Sequence, residues 1–423
     1  MDPLLEDAIY HERRVKIICI GAGASGLCLA YKLQRWFRSY ELTVYEKNPS
    51  VGGTWFENRY PGRACDVPSH NYVYSFEPNA DFSSVYAVSE EILGYFENFV
   101  EKHGLGKYFK FSHTVEKTTW EENKGHWTVE IKHNINDKRL QDCCHILIHA
   151  CGFLNKASWP QLPGLGNSEG VKVHSAQYDP SLSLKDKNVL LVGAGSSSAQ
   201  ILPAIQPIAK SLTISIRSPT WLLPDIATEG GKFKPEDIES FKQRPETLLE
   251  LRQINERTMN SIFRVRGDAN ESYDGDVIIY AAGFDTSYIP SYPIIGPEGR
   301  DLQDEWSESI MGYMGVAASE FPNMLTFLGP YTPVSNGPTL IVIEAQANYI
   351  CSFIDRYQTE PIHNVAPKAA ACRDFKSHVV GFMEKSVWTD DCRNSHNNHT
   401  VGGRVPTTWP GSTLHYLEAM REP

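Results

Sequence analysis

The chain has 423 residues, of which 41% are apolar and 22% charged, a composition typical of globular proteins that excludes a disordered, collagenous or coiled-coil chain. Its 40 Lys and Arg against 51 Asp and Glu give a net charge of −11, which argues against nucleic acid as the main partner because a phosphate backbone selects basic surfaces. No apolar run reaches the ~18 residues of a membrane span, and the polar start lacks signal-peptide features, so we expect a cytoplasmic protein without a membrane partner.

The N-terminal region has the pattern of a nucleotide-binding βαβ unit. Residues 15–20 predict a strand, residues 27–36 have the apolar spacing of a helix, and residues 42–45 predict the next strand. Elements in this order begin a parallel, doubly wound sheet.

The turn between this strand and helix matches GxGxxG, with Gly21, Gly23 and Gly26 as its glycines and Ser25 before the last of them. Such glycines allow a tight turn, the approach of a pyrophosphate and close helix packing, while helix N–H groups face the phosphates. Glu46, 25 positions after Gly21, ends the next strand, where a carboxylate accepts hydrogen bonds from ribose hydroxyls. The glycine turn and Glu46 together favour dinucleotide binding. The alternatives are that the glycines form only a structural turn and that Glu46 is only a solvated charge.

The same pattern returns later in the chain. Residues 188–192 predict a strand, residues 197–210 a helix and residues 212–216 another strand. Serine replaces the third glycine of the intervening turn and is small enough for helix packing. The candidate binding residues of this turn are Gly193, Gly195, Ser196, Ser197 and Ser198.

The second strand of this later unit ends in Arg217 and Ser218 rather than in a carboxylate. A guanidinium there suits the 2′-phosphate of NADP, so the sequence predicts NADPH over NADH, with a surface arginine as the alternative. Pro203 and Pro207 are expected to bend the predicted helix because each removes a backbone hydrogen bond. In the first unit the second strand ends in a carboxylate, and in the later unit it ends in an arginine. Two dinucleotide sites of these kinds are typical of an FAD enzyme that NADPH reduces.

The predicted fold class is α/β, with two doubly wound Rossmann-like dinucleotide-binding domains, the second inserted in the first. Residues 1–160 are the first part of the FAD-binding domain, residues 161–184 a linker and residues 185–280 the NADPH-binding domain. Residues 281–423 return to the FAD-binding domain.

Further elements are predicted around the two turns. Residues 111–115, 127–131 and 146–150 predict added strands, and residues 246–263 predict a helix whose apolar face is interrupted by Asn255. The nine cysteines show neither a disulfide framework nor metal-ligand spacing, so we expect no bound metal.

Residues 52–66 and 72–76 resemble the flavin-side motif of class B flavoprotein monooxygenases, specifically the Baeyer-Villiger monooxygenases. The first stretch reads Gly-Gly-Thr-Trp-Phe-Glu-Asn-Arg-Tyr-Pro-Gly-Arg-Ala-Cys-Asp. Other stretches are similar to the family's two ATG-type strand ends and to the C-terminal segment of its fungal secondary-metabolism members: residues 150–152, 281–286, 321–330 and 409–418. The similarity spans most of the chain.

The resemblance implies FAD and NADPH as cofactors and gives roles to single residues. Asp66 matches the active-site aspartate that holds a catalytic arginine in place, with a turn-capping residue as the alternative. Cys65 and Asp66 belong to the cofactor-binding motif, as do the residues that match flavin contacts and the backbone contact to the adenine side: Thr54, Trp55, Tyr72 and Val115.

The linker resembles the family fingerprint FxGxxxHxxxW in part. Gly170, His174 and Asp179 are retained, whereas Ser168 and Tyr178 replace the phenylalanine and the tryptophan. In the family the histidine is a hinge element, and a hydrogen-bonded core histidine is the alternative here.

The family also carries a longer stretch before residue 276, with an arginine that sits over the flavin. We find no such segment between residues 263 and 276, so the NADPH-binding domain is expected to be shortened. Arg59, Arg63 and Arg264 are candidates to replace the arginine, and no spacing selects among them.

The resemblance therefore implies an NADPH-dependent FAD monooxygenase that inserts one oxygen atom of O2 into a ketone, giving an ester or lactone in secondary metabolism. Two alternatives stay open. One is an N- or S-oxygenating flavin monooxygenase or an NADPH oxidase, and the other is an inactive flavin-binding truncated form. Substrate identity and oligomeric state do not follow from the sequence.

Overall fold

The computed structural model describes residues 12–160, 169–216, 231–261, 276–332, 337–385 and 408–421. The strands are β1 (Val15–Ile20), β2 (Tyr40–Tyr45), β3 (Phe109–Lys110), β4 (His113–Glu121), β5 (His126–His133), β6 (Arg139–Cys144), β7 (Ile146–His149), β8 (Val171–His174), β9 (Asn188–Val192), β10 (Ser211–Ser215), β11 (Val277–Tyr280), β12 (Ile294–Ile295), β13 (Gly312–Tyr313), β14 (Ala317–Ala318) and β15 (Met324–Thr326). The helices are α1 (Ala24–Trp36), α2 (Thr54–Glu57), α3 (Ser89–Lys102), α4 (Ser196–Ile205), α5 (Pro235–Gln243), α6 (Pro245–Ser261), α7 (Leu302–Glu308), α8 (Thr339–Thr359), α9 (Ala369–Met383) and α10 (Thr413–Ala419).

The first sheet has the strand order β13-β14-β15-β7-β1-β2-β3, with parallel pairing from β15 to β3. Strand β1 is apolar except for the partly buried Lys16, because both its faces are covered by other elements. Ile17 and Cys19 pack in the core that includes α1, α3 and α8. Ile18 and Ile20 pack on the opposite face against the third sheet, β12-β4-β5-β6.

The second sheet has the order β10-β9-β11-β8 and is parallel throughout. Its core joins Leu191 of β9, Ile201 of α4 and Ile279 of β11. Strand β8 comes from the stretch predicted as a linker, and it forms one edge of this second sheet. Strands β13 to β15 come from the stretch predicted to return to the first unit, and they lie in the first sheet. The prediction of an α/β fold with two doubly wound parallel units is confirmed.

Two predicted boundaries were wrong. Helix α4 ends at Ile205 rather than at residue 210, so Pro203 lies inside the helix and Pro207 beyond it. The strand predicted at residues 111–115 begins at His113 and runs to Glu121, because Ser112 has a φ of 57° and turns the chain just before it.

In the described part of the chain, no helix is both long enough and apolar enough to cross a membrane.

A buried histidine lies where α5 and α6 meet the first unit. His70 is 2% exposed, its ring is surrounded by the rings of Phe82, Phe233 and Phe241, and its Nδ1 lies 2.9 Å from the carbonyl oxygen of Asn79. Burial disfavours the imidazolium and lowers the pKa of His70 from 6.5 to about 4.

We expect this histidine to make stability depend on pH. The pKa of His70 is lower in the folded than in the unfolded protein. Above pH 6.5 the imidazole is neutral in both states and leaves the free energy of unfolding unchanged. As the pH falls from 6.5 towards 4, the unfolded state takes up the proton first, so stability is lost. On going from about pH 7.5 to about pH 5, the free energy of unfolding of His70→Phe should therefore rise by about 2 kcal/mol relative to that of the wild type. Thermal unfolding at both pH values measures this, with His378→Phe, at an exposed position of α9, as control. Parallel pH profiles for wild type and His70→Phe would contradict the assignment.

Candidate functional site

The first glycine turn lies between β1 and α1, as its sequence predicts. Gly21 has a φ of +111°, and a Cβ there would lie 2.5 Å from the carbonyl oxygen of Ala150. A Cβ on Gly26 would lie 2.1 Å from the carbonyl oxygen of Gly21. The turn therefore depends on glycine at both positions, and it directs the N-terminus of α1 at a cavity beside the strand ends.

Glu46 at the end of β2 fixes this turn. It is 4% exposed, its Oε2 accepts a hydrogen bond from the Ala22 N–H at 2.7 Å, and its Oε1 accepts one from the Asn48 N–H at 2.9 Å. Burial raises the pKa of its carboxyl group, against the lowering effect of these two bonds. Each carboxylate oxygen can accept more than one hydrogen bond, so Glu46 can hold the turn and still bind a hydroxyl group.

The cavity runs from the glycine turn past β2 and α2 to the ends of β4 and β7. It brings together most of the residues predicted for the first cofactor. The predicted residues that line it are Gly21, Gly23, Ser25, Glu46, Thr54, Trp55, Tyr72 and Val115.

Trp55 and Tyr72 form one aromatic pair on the wall of this cavity. The Trp55 Nε1–H donates a hydrogen bond to the Tyr72 hydroxyl at 3.2 Å, and the two rings meet edge to face with centroids 5.5 Å apart. Each ring therefore fixes the orientation of the other.

Three of the predicted residues do not line the cavity. Gly26 packs α1 against the turn. Cys65 is 3% exposed, and its N–H donates to the carbonyl oxygen of Ala87 at 2.9 Å. Asp66 lies on the same loop, and its carboxylate lies beside Ser196 of the second unit instead.

The second glycine turn lies between β9 and α4. Gly193 has a φ of +120°, and a Cβ there would lie 2.4 Å from the carbonyl oxygen of Ala281. The Ser198 hydroxyl, at the third glycine position, donates to the Gly193 carbonyl oxygen at 2.7 Å and so closes the turn. A Cβ on Gly195 would meet no atom within 4 Å, so the N-terminus of α4 is open. Arg217 and Ser218 lie outside the described residues.

Asp66 connects the two units. Its carboxylate lies beside the side chain of Ser196, at the start of α4, and this neighbour favours the charged form. Asp66 is accessible to solvent yet crowded by protein atoms, and this desolvation raises the pKa of its carboxyl group. The carboxylate at residue 66 therefore sits where the loop of the first unit meets the glycine turn of the second.

Two of the three candidate arginines have other partners. Arg59 donates from Nε to the carbonyl oxygen of Phe56 at 3.2 Å, and Arg63 donates to Ser89 at 2.5 Å and to Glu90 at 2.6 Å. Arg264 lies outside the described residues.

The fingerprint histidine, His174, ends β8 in a buried position. Its Nδ1 accepts a hydrogen bond from the Ala176 N–H at 3.1 Å, and Tyr178 packs in the core of the second unit. Asp179 accepts hydrogen bonds from the Ser181 N–H and hydroxyl. Gly170 lies just before β8, and Ser168 lies outside the described residues.

Sequence reasoning missed a polar network on the cavity rim. Lys47 Nζ lies 2.8 Å from Glu57 Oε1, and Asn155 Nδ2 donates to Glu57 Oε2 at 2.9 Å. Asn48 Nδ2 also donates to Glu57 Oε1 at 2.8 Å. Glu57 therefore ties α2 to the segments that follow β2 and β7. Only the position of Lys47 directly after Glu46 could have signalled this.

We expect Glu57→Ala to accelerate the release of a ligand from the cavity about fivefold, since the variant removes one ion pair and two further hydrogen bonds from the rim. The measurement is the rate at which FAD fluorescence appears after dilution of the loaded protein. Glu90→Ala is the control, because it breaks an ion pair with Arg63 away from the cavity. Equal release rates for Glu57→Ala and the wild type would show that the rim network does not retain the ligand.

Among the described residues, no three His, Cys, Asp or Glu side chains come together in an arrangement that could hold a metal ion.

Comparison with known proteins identifies relatives of the whole chain. The model of the flavin-binding monooxygenase-like family matches residues 13–276. The FAD-binding monooxygenase moxY of Dothistroma septosporum is 30% identical over 97% of this chain and 79% of its own length. A Baeyer-Villiger monooxygenase of Streptomyces coelicolor is 28% identical over 99% of this chain and 93% of its own length.

The alignment with moxY spans 495 positions, against 423 residues in this chain. The relative therefore has positions for which this chain has no residue. The junction at residues 262–275, where sequence analysis expects the shortening, lies outside the described residues.

Solved structures share the fold. The closed crystal structure of a cyclohexanone monooxygenase superimposes with a TM-score of 0.79 at 20% identity, over 97% of both chains. The structure of OTEMO in complex with FAD and NADP gives a TM-score of 0.79 at 19% identity, again over 97% of both chains.

Proposed function

Because this chain belongs to the flavin-binding monooxygenase-like family, we propose that it is an NADPH-dependent FAD monooxygenase that inserts one oxygen atom of O2 into a ketone. The observation that carries the proposal is the cavity at the first glycine turn, which is lined by most of the residues predicted to hold FAD. A second, open glycine turn lies on the neighbouring unit. The loop at residues 60–66 connects the two units, since the backbone of Ala64 pairs with Gln200 of α4, so one chain offers both a flavin site and a site for the hydride donor.

The residues of the first cavity fit FAD. A Cβ would collide with backbone at Gly21 and Gly26, and the N-terminus of α1 supplies free N–H groups for a pyrophosphate. The buried carboxylate of Glu46 suits ribose hydroxyls, and Val115 lines the adenine side. Thr54, Trp55 and Tyr72 supply the wall for the flavin ring. When bound, FAD accepts a hydride and activates O2.

The second glycine turn suits NADPH. The open N-terminus of α4 presents N–H groups to a pyrophosphate, and Arg217 would select the 2′-phosphate by charge. The residues proposed to hold NADPH are Gly193, Gly195, Ser196, Ser197, Ser198, Arg217 and Ser218.

Asp66 is the proposed catalytic residue. Its carboxylate holds negative charge where the loop of the first unit meets the second glycine turn, and so sets the electrostatics of the reacting groups. The ketone and O2 are the proposed small-molecule partners, and the ketone is proposed to come from secondary metabolism, as in the fungal members that the sequence resembles.

The test is product analysis with the FAD-loaded protein, NADPH and O2. A cyclic ketone and a thioether are offered separately, and mass spectrometry identifies the products. We expect the ketone to gain one oxygen atom as a lactone. Sulfoxide from the thioether without any lactone would contradict ketone oxidation and favour the heteroatom-oxygenating alternative.

A second candidate, NADPH oxidase, is favoured by the arginines. The Arg63 guanidinium is held by Ser89 and Glu90, and the exposed Arg59 does not line the first cavity, so neither is placed to stabilise an anion at the flavin. Hydrogen peroxide formed in proportion to NADPH consumed, with no oxygenated product from either probe, is the result that supports this candidate.

A further inference from the structure

The side chain of Gln200 spans the two units. Gln200 lies on α4, and its Nε2 donates to the carbonyl oxygen of Ala64 at 3.1 Å. The Ala64 N–H donates to Gln200 Oε1 at 3.2 Å, and the Tyr60 hydroxyl donates to the same oxygen at 3.1 Å. The amide of Gln200 therefore pairs with the backbone of residue 64 in both directions, as one strand residue pairs with another.

The loop at residues 60–66 rests directly on α4. Gly62 has a φ of +77°, and a Cβ there would lie 2.3 Å from the carbonyl oxygen of Gln200 and 2.8 Å from the Cβ of Ala204. Any side chain at this position would push the loop off the helix. The loop backbone therefore packs directly against the backbone of α4, which only glycine at position 62 allows.

Both ends of the same loop lie against the second glycine turn. The Tyr60 side chain lies beside Ser197, and the Asp66 carboxylate lies beside Ser196. Gln200 supplies the hydrogen bonds that hold the loop, to Tyr60 at its start and to Ala64 in its middle. These bonds restrict changes in the distance between Asp66 and the start of α4.

We propose that Gln200 is a positioning residue that fixes the loop bearing Asp66 on the second glycine turn, and so sets the distance between hydride donor and flavin. Gln200 does not line the first cavity and is not among the residues proposed to hold NADPH. The effect of Gln200 on the rate of hydride transfer rests on the proposed function. Its effect on the mobility of the loop at residues 60–66 does not.

The test uses the FAD-loaded protein and three variants. Gln200→Ala removes the three hydrogen bonds, Gln200→Glu keeps the acceptor and removes the donor to Ala64, and Gln206→Ala changes an exposed glutamine beyond the end of the same helix. Hydrogen–deuterium exchange is followed for the peptide that covers residues 60–66, without NADPH. We expect exchange about tenfold faster in Gln200→Ala, a smaller increase in Gln200→Glu, and none in Gln206→Ala.

Anaerobic reduction by NADPH gives the second readout. In Gln200→Ala the limiting reduction rate should fall about tenfold while the apparent dissociation constant for NADPH changes less than about twofold, with Gln200→Glu in between. Dithionite should reduce the flavin equally in all variants. An equal loss of rate and NADPH affinity would show a general disturbance of α4 and overturn the positioning role.

Unchanged exchange at residues 60–66 in Gln200→Ala would overturn the proposal outright. If NADPH does not reduce even the wild-type flavin, the proposed function fails, and the exchange experiment still decides the role of Gln200.

Discussion

Gly23→Val is expected to abolish FAD binding while the protein stays folded. The backbone of Gly23 has φ −78° and ψ −172°, which valine adopts readily, and a Cβ there would lie 3.5 Å from the Cα of Gly53, an ordinary contact. The fold therefore accepts the side chain. Gly23 lines the cavity, however, so the added methyl groups fill space that the pyrophosphate needs.

We expect FAD affinity to fall about 100-fold or more in Gly23→Val, the effect of losing about 3 kcal/mol of binding free energy. Fluorescence titration of the apoprotein measures the affinity, and thermal unfolding checks the fold. Gly94→Ala on α3 is the control, because a Cβ there meets no atom within 4 Å. Wild-type affinity in Gly23→Val would mean that FAD does not bind at this turn.

Asp66→Asn is expected to stop oxygenation and leave FAD bound. Asparagine has the same shape, and the bonds between Ala64 and Gln200 that hold the loop are unchanged, so the loop keeps its place. The negative charge is lost, and removing one such electrostatic group typically costs about 100-fold or more in rate. Asp66 does not line the FAD cavity, so FAD affinity should stay within about twofold.

The measurement for Asp66→Asn is the rate of lactone formation per bound flavin. Asp137→Asn is the matched control, since Asp137 lies on an exposed turn with a φ of 55° that asparagine tolerates well. Lactone formation at the wild-type rate in Asp66→Asn would contradict the catalytic assignment.

The parts of the fold that local chemistry determines could be predicted from the sequence. β1 and β9 carry short, mainly apolar runs that are buried or partly buried, and the glycines at 21 and 193 mark turns with positive φ. Both strand–turn–helix units follow from these local signals. Helix α4 ended earlier than predicted because apolar spacing continues past its true end at Ile205.

The parts that depend on distant residues could not be predicted. The sequence predicts that Asn255 interrupts an apolar face, yet Asn255 is 8% exposed, and its Nδ2 donates to the Asn71 Oδ1 at 3.2 Å. Gln200 pairs with Ala64 across 136 positions. Such hydrogen bonds leave no periodic pattern in the sequence, and only the folded chain brings the partners together.

The most direct test of the account is the anaerobic mixing of the FAD-loaded protein with NADPH, followed by absorbance of the bound flavin. We predict that the oxidised-flavin absorbance is lost, faster with NADPH than with NADH, and that it returns when oxygenated buffer is added. That result would show that both dinucleotide sites work together in this chain. Bound flavin that stays oxidised in the presence of NADPH would contradict the proposed monooxygenase and leave a flavin-binding protein without its reductant.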